Sequence, residues 1–161
     1  MILFAHGLEG TPTGAKPRAL IAAGFDVVAP DGRGIGLTGR IAGLDEASAG
    51  RTGIILVGSS YGGLAALMLA IRHPARLRGL VLLAPALLDL PEIGAPPSTL
   101  VVPPGVPCSV LHGRHDDIVP LAASEALVAR SGPLVTLQVL DDEHALRASL
   151  PAIVEAVRSL I

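Results

Sequence analysis

The stretch Ile54-Ile55-Leu56-Val57-Gly58-Ser59-Ser60-Tyr61-Gly62-Gly63-Leu64 decides the reading of the chain. Four apolar residues run into a turn of small residues. The stripe Leu64, Leu67, Met68 and Ile71 comes next, at the i, i+3, i+4, i+7 spacing of a half-buried helix. That is strand, sharp turn, helix. The pattern G-x-S-x-G fits in one register only, with Gly58 and Gly62 two places either side of Ser60; Ser59 lacks the first glycine because Val57 stands there. A serine at such an apex is held at φ > 0, and close packing beside it leaves no room for Cβ atoms at the flanking positions. The turn would lift the hydroxyl above the sheet edge and set the Tyr61 N–H beside a helix N-terminus, where a developing oxyanion is favoured. The competing reading is an ordinary strand-to-helix turn made of small residues. The rest of the chain decides between them by supplying, or failing to supply, a base, an acid and a second oxyanion donor.

Working outward, short apolar runs alternate with helical patterns. The runs are Ile2–Ala5, Val27–Ala29, Ile54–Val57, Leu80–Leu83, Ser109–Leu111 and Val135–Leu140. Helical patterns fall at Lys16–Ala23, Leu37–Ala47, Leu64–Ile71, Leu121–Arg130 and Leu150–Leu160. Most runs are continuous rather than alternating, as in strands buried on both faces, so the pattern predicts βαβ crossovers and a parallel sheet covered on both sides. In such sheets functional groups gather beyond the carboxyl ends of the strands. Residues 87–106 break the alternation, with Pro91, Pro96, Pro97, Pro103 and Pro104 arguing against a regular helix or central strand. Leu87 and Leu88 at its start are candidate pocket residues for an acyl group, or ordinary loop packing.

Composition bounds the function. The chain has 161 residues, half of them apolar, and is expected to form a single domain, 1–161. Its only aromatic residues are Phe4, Phe25 and Tyr61, so the core must be aliphatic. A formal charge of −2 and the absence of a basic run give no field for nucleic acid or an anionic membrane. The single cysteine, Cys108, precludes an internal disulfide and is read as a small core residue. No stretch has the length of a membrane span, and Met1–Ala5 is too short for a signal segment, so a cytoplasmic protein is expected.

The residues just after each run carry the chemistry. His6-Gly7-Leu8-Glu9-Gly10 succeeds the first, and His6 is read as a structural residue rather than a base; Glu9 is either a pocket residue or a plain surface carboxylate. Pro30-Asp31-Gly32-Arg33-Gly34 succeeds the second. It fails both G-x-x-x-x-G-K-[ST] and G-x-G-x-x-G, so no nucleotide cofactor is expected, and Asp31 and Arg33 are read as a loop-fixing pair. His112 and His115 have H-x-x-H spacing, but on a loop that spacing does not ensure convergence, and no metal is expected. Of the five histidines only His144 lies C-terminal to both Asp116 and Asp117. Ser60, an aspartate, then His144 is the order of one known serine-hydrolase arrangement.

Taken together, these motifs resemble a small α/β-hydrolase along almost the whole chain. The likeness runs from Phe4-Ala5-His6-Gly7-Leu8 through Asp31–Gly34 and Ser60 to His112-Gly113-x-x-Asp116-x-Ile118-Val119-Pro120 and Asp142-x-His144. The resemblance implies a reduced α/β-hydrolase fold with six mainly parallel strands in the order 2-1-3-4-5-6 and helices on both faces. The chain opens on what is the third strand in the family, and the connection after the fourth run has no room for a lid. By the same resemblance Ser60 is the nucleophile, His144 the base and Asp116 the orienting acid, with Asp117 the alternative. The Leu8 and Tyr61 N–H groups would form the oxyanion hole. The expected activity is hydrolysis of carboxylic esters of small to medium acyl groups, as in small lidless bacterial esterases. A thioesterase and a non-catalytic binding protein of the same fold are the rivals. The expected partner is a small-molecule acyl substrate. An uncovered edge strand leaves monomer and homodimer both open.

Overall fold

The computed structural model describes residues 1–161. Six strands form one sheet: β1 (Ile2–Ala5), β2 (Val27–Val28), β3 (Ile54–Ser59), β4 (Leu77–Leu83), β5 (Cys108–Gly113) and β6 (Val135–Leu140). Their order is β2-β1-β3-β4-β5-β6 and every neighbouring pair is parallel. The expected topology is therefore the observed one. Five helices connect or follow them: α1 (Ala15–Ala22), α2 (Leu37–Ser48), α3 (Tyr61–Arg72), α4 (Leu121–Arg130) and α5 (Leu150–Arg158).

The unbroken apolar runs are explained by two cores. In β1, Leu3 and Ala5 face a cluster built with Leu37, Ile41 and Leu44 of α2 and with most of α3; Ile2 and Phe4 face the opposite cluster, which holds Leu20 of α1 and Ile153 and Val157 of α5. In β3, Ile54 and Leu56 share the first cluster, Ile55 and Val57 the second. Period-two side-chain alternation with both faces covered demands an apolar residue at every position. Cys108 is buried in the first cluster, and burial pushes its thiol well above its ordinary pKa, as befits a core residue.

The connection from Ala84 to Pro107 contains only two single 3₁₀ turns, Pro91–Ile93 and Pro97–Thr99, and no helical lid. It is nevertheless pinned down. Ile93, Leu100, Val102 and Val106 are buried, and Arg130 donates from α4 to the carbonyls of Leu100 (2.7 Å) and Pro97 (3.0 Å). No helix is long and apolar enough to cross a membrane.

The strands deliver their loops to one edge. β1 leads into His6, β3 into Ser60, β5 into the 114–120 loop and β6 into the 141–149 loop, all at carboxyl ends. The site is built there.

Candidate active site

Ser60 sits between β3 and α3 at φ 54°, ψ −119°, a conformation an L-residue adopts only under constraint. The constraint is visible. The Ser60 N–H donates to the Leu83 carbonyl (2.8 Å), and its own carbonyl accepts from Gly63 (2.8 Å), Leu64 (3.1 Å) and Ala86 (3.0 Å). Behind it Ala84 is also at positive φ, 42°, and fully buried. Gly62 shows why the turn tolerates no side chain. A Cβ there would run into the Ala5 carbonyl group and lie 2.5 Å from the His6 oxygen, all backbone. Replacing Gly62 by Ala should push the elbow and the end of β1 apart. We expect destabilisation of about 3 kcal/mol, a fall in melting temperature of roughly 10 °C, and a loss of turnover in the folded fraction. Calorimetry beside an activity assay checks this.

The Ser60 hydroxyl is 2.9 Å from Nε2 of His144, and Nδ1 of the same ring is 2.7 Å from Oδ2 of Asp116. Because the carboxylate can only accept, Nδ1 carries the proton and Nε2 presents its lone pair to the serine. The His144 side chain retains 21% of its exposure while the Asp116 side chain has none, so the imidazole is open to solvent and the carboxylate is not. Asp117 is exposed and makes no hydrogen bond to His144, whereas Asp116 does.

Asp116 is held on every side. Its Oδ1 accepts from the N–H groups of Ile118 (2.9 Å) and Val119 (2.8 Å). His112, fully buried on β5, brings Nε2 within 3.1 Å of Oδ2 while also donating to the Val119 carbonyl (2.9 Å); its Nδ1 accepts from Ser124 (2.8 Å). Burial alone would raise the Asp116 pKa. The Val119 N–H, the His144 ring and the Ile118 N–H outweigh it, and the carboxyl lies below its ordinary range.

The 141–149 loop is fixed just as closely. Gly113 at the end of β5 lets the loop backbone pass directly over it: an added Cβ would collide with the Asp142 oxygen and lie 2.6 Å from that of Glu143. Asp142 accepts from the Glu143 N–H (2.8 Å) and the Ser149 hydroxyl (2.7 Å), joining the loop to the start of α5. Leu146, at φ 51°, anchors the loop in the second core. Lys16 of α1 donates to the Ala145 carbonyl (2.6 Å), beside His144; burial, then neighbouring Arg147, lowers its pKa.

The loop after β1 approaches Ser60 from the other side. A Cβ on Gly7 would lie 3.3 Å from that of Ser60. The N–H of exposed Leu8 has no hydrogen-bond partner within the protein, and Tyr61 opens α3, so its N–H belongs to the first-turn donors that lack an intrahelical acceptor. His6 is structural, as expected. Its Nε2 accepts from the Gly32 N–H (2.9 Å), so its proton is on Nδ1 beside the Gly7 carbonyl (2.8 Å). Asp31 and Arg33 are indeed paired, through two side-chain contacts near 3 Å and one of 2.6 Å. His115 is exposed and paired with Asp141 (2.8 Å).

The pocket candidates separate. Glu9 is exposed. Leu87 is buried and belongs to the first core, whereas Leu88 is half-buried. A cavity of about 450 Å³ lies between β5, β6 and α5, but neither Ser60, Asp116 nor His144 borders it, so it is not where this arrangement would work. The residues the sequence did not single out are Arg40 and Lys16. Arg40 had a signal, since it stands on the apolar stripe of α2 between Leu37 and Ile41. Lys16 had none.

Comparison with known proteins bears on the fold. The family model described as alpha/beta hydrolase fold matches residues 1–100, which hold the first four strands and the elbow but neither the Asp116 nor the His144 loop. No curated protein matches in sequence. Among solved structures, a protein of the alpha/beta hydrolase superfamily from Xanthomonas campestris pv. campestris is 27% identical. Its TM-score is 0.78, over 99% of this chain and 96% of that one. Mouse alpha/beta hydrolase domain-containing protein 10 is 20% identical, with TM-score 0.80 over 99% and 88%. A Paleococcus ferrophilus monoacylglycerol lipase is 18% identical, with TM-score 0.80 over 99% and 94%; these last two likenesses show the fold alone. The matched stretch covers most of the chain and contains the strand, elbow and helix around Ser60, and the chain belongs to the α/β-hydrolase family.

Proposed function

We propose that this α/β-hydrolase family member cleaves carboxylic esters of small to medium acyl groups through a covalent acyl-serine. The observation that carries the proposal is the continuous chain Ser60 Oγ, His144, Asp116 at 2.9 and 2.7 Å, with an elbow serine whose next N–H opens a helix. In this reaction Ser60 Oγ attacks the acyl carbonyl and its proton passes to Nε2 of His144. Asp116 keeps the ring oriented and stabilises the imidazolium. The Leu8 and Tyr61 N–H groups receive the oxyanion; one such donor is worth about 3–4 kcal/mol at the transition state. The tetrahedral adduct collapses as His144 returns the proton to the leaving alcohol. Water then attacks the acyl-enzyme with His144 again as base, and the acid departs.

The short, lidless connection at 84–107 supports an open site. Leu87 is taken up by the core, which favours short acyl chains. A p-nitrophenyl ester series from acetate to palmitate tests this. Turnover should be greatest at acetate to hexanoate and fall off beyond. An optimum at palmitate would contradict the small-acyl reading. Turnover at least tenfold greater on matched thioesters would make the protein a thioesterase with the same residues.

A further inference from the structure

We propose that Arg40 is a positioning residue that holds the two arms of the oxyanion hole in register, a role that rests on the serine-hydrolase reading. Arg40 is 7% exposed, on the face of α2 that packs against the core. It has no carboxylate within ion-pair distance: Asp31 is engaged by Arg33 and Glu92 accepts from the Tyr61 hydroxyl (2.9 Å). A buried guanidinium without a counter-ion is costly, and burial pulls its pKa down from the ordinary value. What it does instead is specific. Nη1 donates to the His6 carbonyl at 2.6 Å, Nε donates to the Ile35 carbonyl at 2.9 Å, and the guanidinium lies over the Tyr61 ring, 5.3 Å from its centroid.

Those contacts fall on both sides of the hole. His6 is two residues before Leu8, and Tyr61 carries the other donor. The arms are already in backbone contact, since the His6 oxygen is among the atoms that leave Gly62 no room for a Cβ. Arg40 therefore sets how far the His6–Leu8 backbone stands from the elbow. Its rigid fork makes two directed hydrogen bonds and a stacking contact at once, which a lysine cannot reproduce. A small cavity of about 50 Å³ beside it, bordered by His6, Gly32 and Gly62, gives these backbones space to shift if the clamp is lost.

The test compares wild type with Arg40→Met and Arg40→Lys, each checked for folding by calorimetry. Three quantities are read: kcat and KM on p-nitrophenyl butyrate, and inhibition by an alkyl trifluoromethyl ketone, whose serine adduct places an oxyanion in the hole. We expect Arg40→Met to lower kcat about tenfold to a hundredfold and weaken the ketone by the same factor, with KM changed by less than about twofold. Arg40→Lys should fall between, and it carries the test if the methionine variant does not fold. A folded variant with kcat and ketone affinity within about twofold of wild type would overturn the proposal, as would equal losses in ketone affinity and KM. A wild type that neither turns over an ester nor binds the ketone would overturn the serine-hydrolase reading and this proposal with it.

Discussion

Ser60→Ala should reduce kcat/KM on any ester that the protein turns over by a factor on the order of 10⁶, while the fold stays intact. The size reflects the group removed. Without Oγ there is no acyl-enzyme, and His144 is left to activate water at a distance set for a serine hydroxyl. The fold should survive because Ser60 is positioned by its backbone. The hydrogen bonds to Leu83, Gly63, Leu64 and Ala86 all involve its N–H or carbonyl, and none needs the side chain. Alanine has the same Cβ as serine and suffers the same constraint at φ 54°. The only lost contact is the 2.9 Å hydrogen bond to His144, so stability should change by no more than about 1 kcal/mol. Equal melting curves with lost turnover are the expected result. A variant that kept a tenth of wild-type activity would remove Ser60 from the chemistry.

Asp116→Asn should lower kcat by roughly 10³–10⁴, through a tautomer rather than through lost charge alone. The amide has one acceptor and one donor. Oδ1 faces two backbone N–H groups, from Ile118 and Val119, so the amide oxygen must take that place. Its NH₂ then points at Nδ1 of His144 and at Nε2 of His112, where Oδ2 had been. His144 can answer that donor only by accepting at Nδ1. The proton moves to Nε2, and the ring can no longer take one from Ser60. The same substitution should change the acid limb of stability. The Asp116 carboxyl is depressed in the folded protein, so its contribution is fully present above the unfolded value of about 4. It is lost as pH falls through the lower folded value. Wild type should therefore lose stability more steeply than Asp116→Asn below about pH 4. Parallel acid limbs would show that the carboxylate is not held as described, and kcat within tenfold of wild type would show that it does not orient the base.

Much of the fold is legible in the sequence, and the physical reason is burial on both faces. Continuous runs such as Ile54–Val57 mark strands without ambiguity when helical stripes separate them. The strand ends are less so. β2 is only Val27–Val28, and β4 begins at Leu77, because the edge and the entry of a sheet are fixed by pairing rather than by hydropathy. The elbow is legible because Gly62 is a steric necessity: any Cβ meets backbone. Other constrained positions leave no mark. Ala84 and Leu146 adopt positive φ without being glycine or asparagine, held there by tertiary packing. The chain order serine, aspartate, histidine points to the hydrogen-bonded row of Ser60, His144 and Asp116, but the place of Asp116 rather than Asp117 in it depends on which side chain the Ile118 and Val119 N–H groups capture. The supports are the least legible. His112 reads as structural, yet nothing in the sequence says that it touches Asp116. Lys16 reaches the Ala145 carbonyl from 129 residues away. Arg40 is the exception, because a charge on an apolar helical stripe is anomalous by itself.

Whether Ser60 is an activated nucleophile can be tested without knowing the substrate. The native protein is treated with a fluorophosphonate probe, digested and mapped by mass spectrometry, with Ser60→Ala and Asp116→Asn alongside. A single adduct on Ser60 is expected in wild type, none in Ser60→Ala, and strongly slowed labelling in Asp116→Asn. Wild type that stays unlabelled, or that labels at another serine with Ser60→Ala unaffected, would contradict the assignment of Ser60 as the nucleophile.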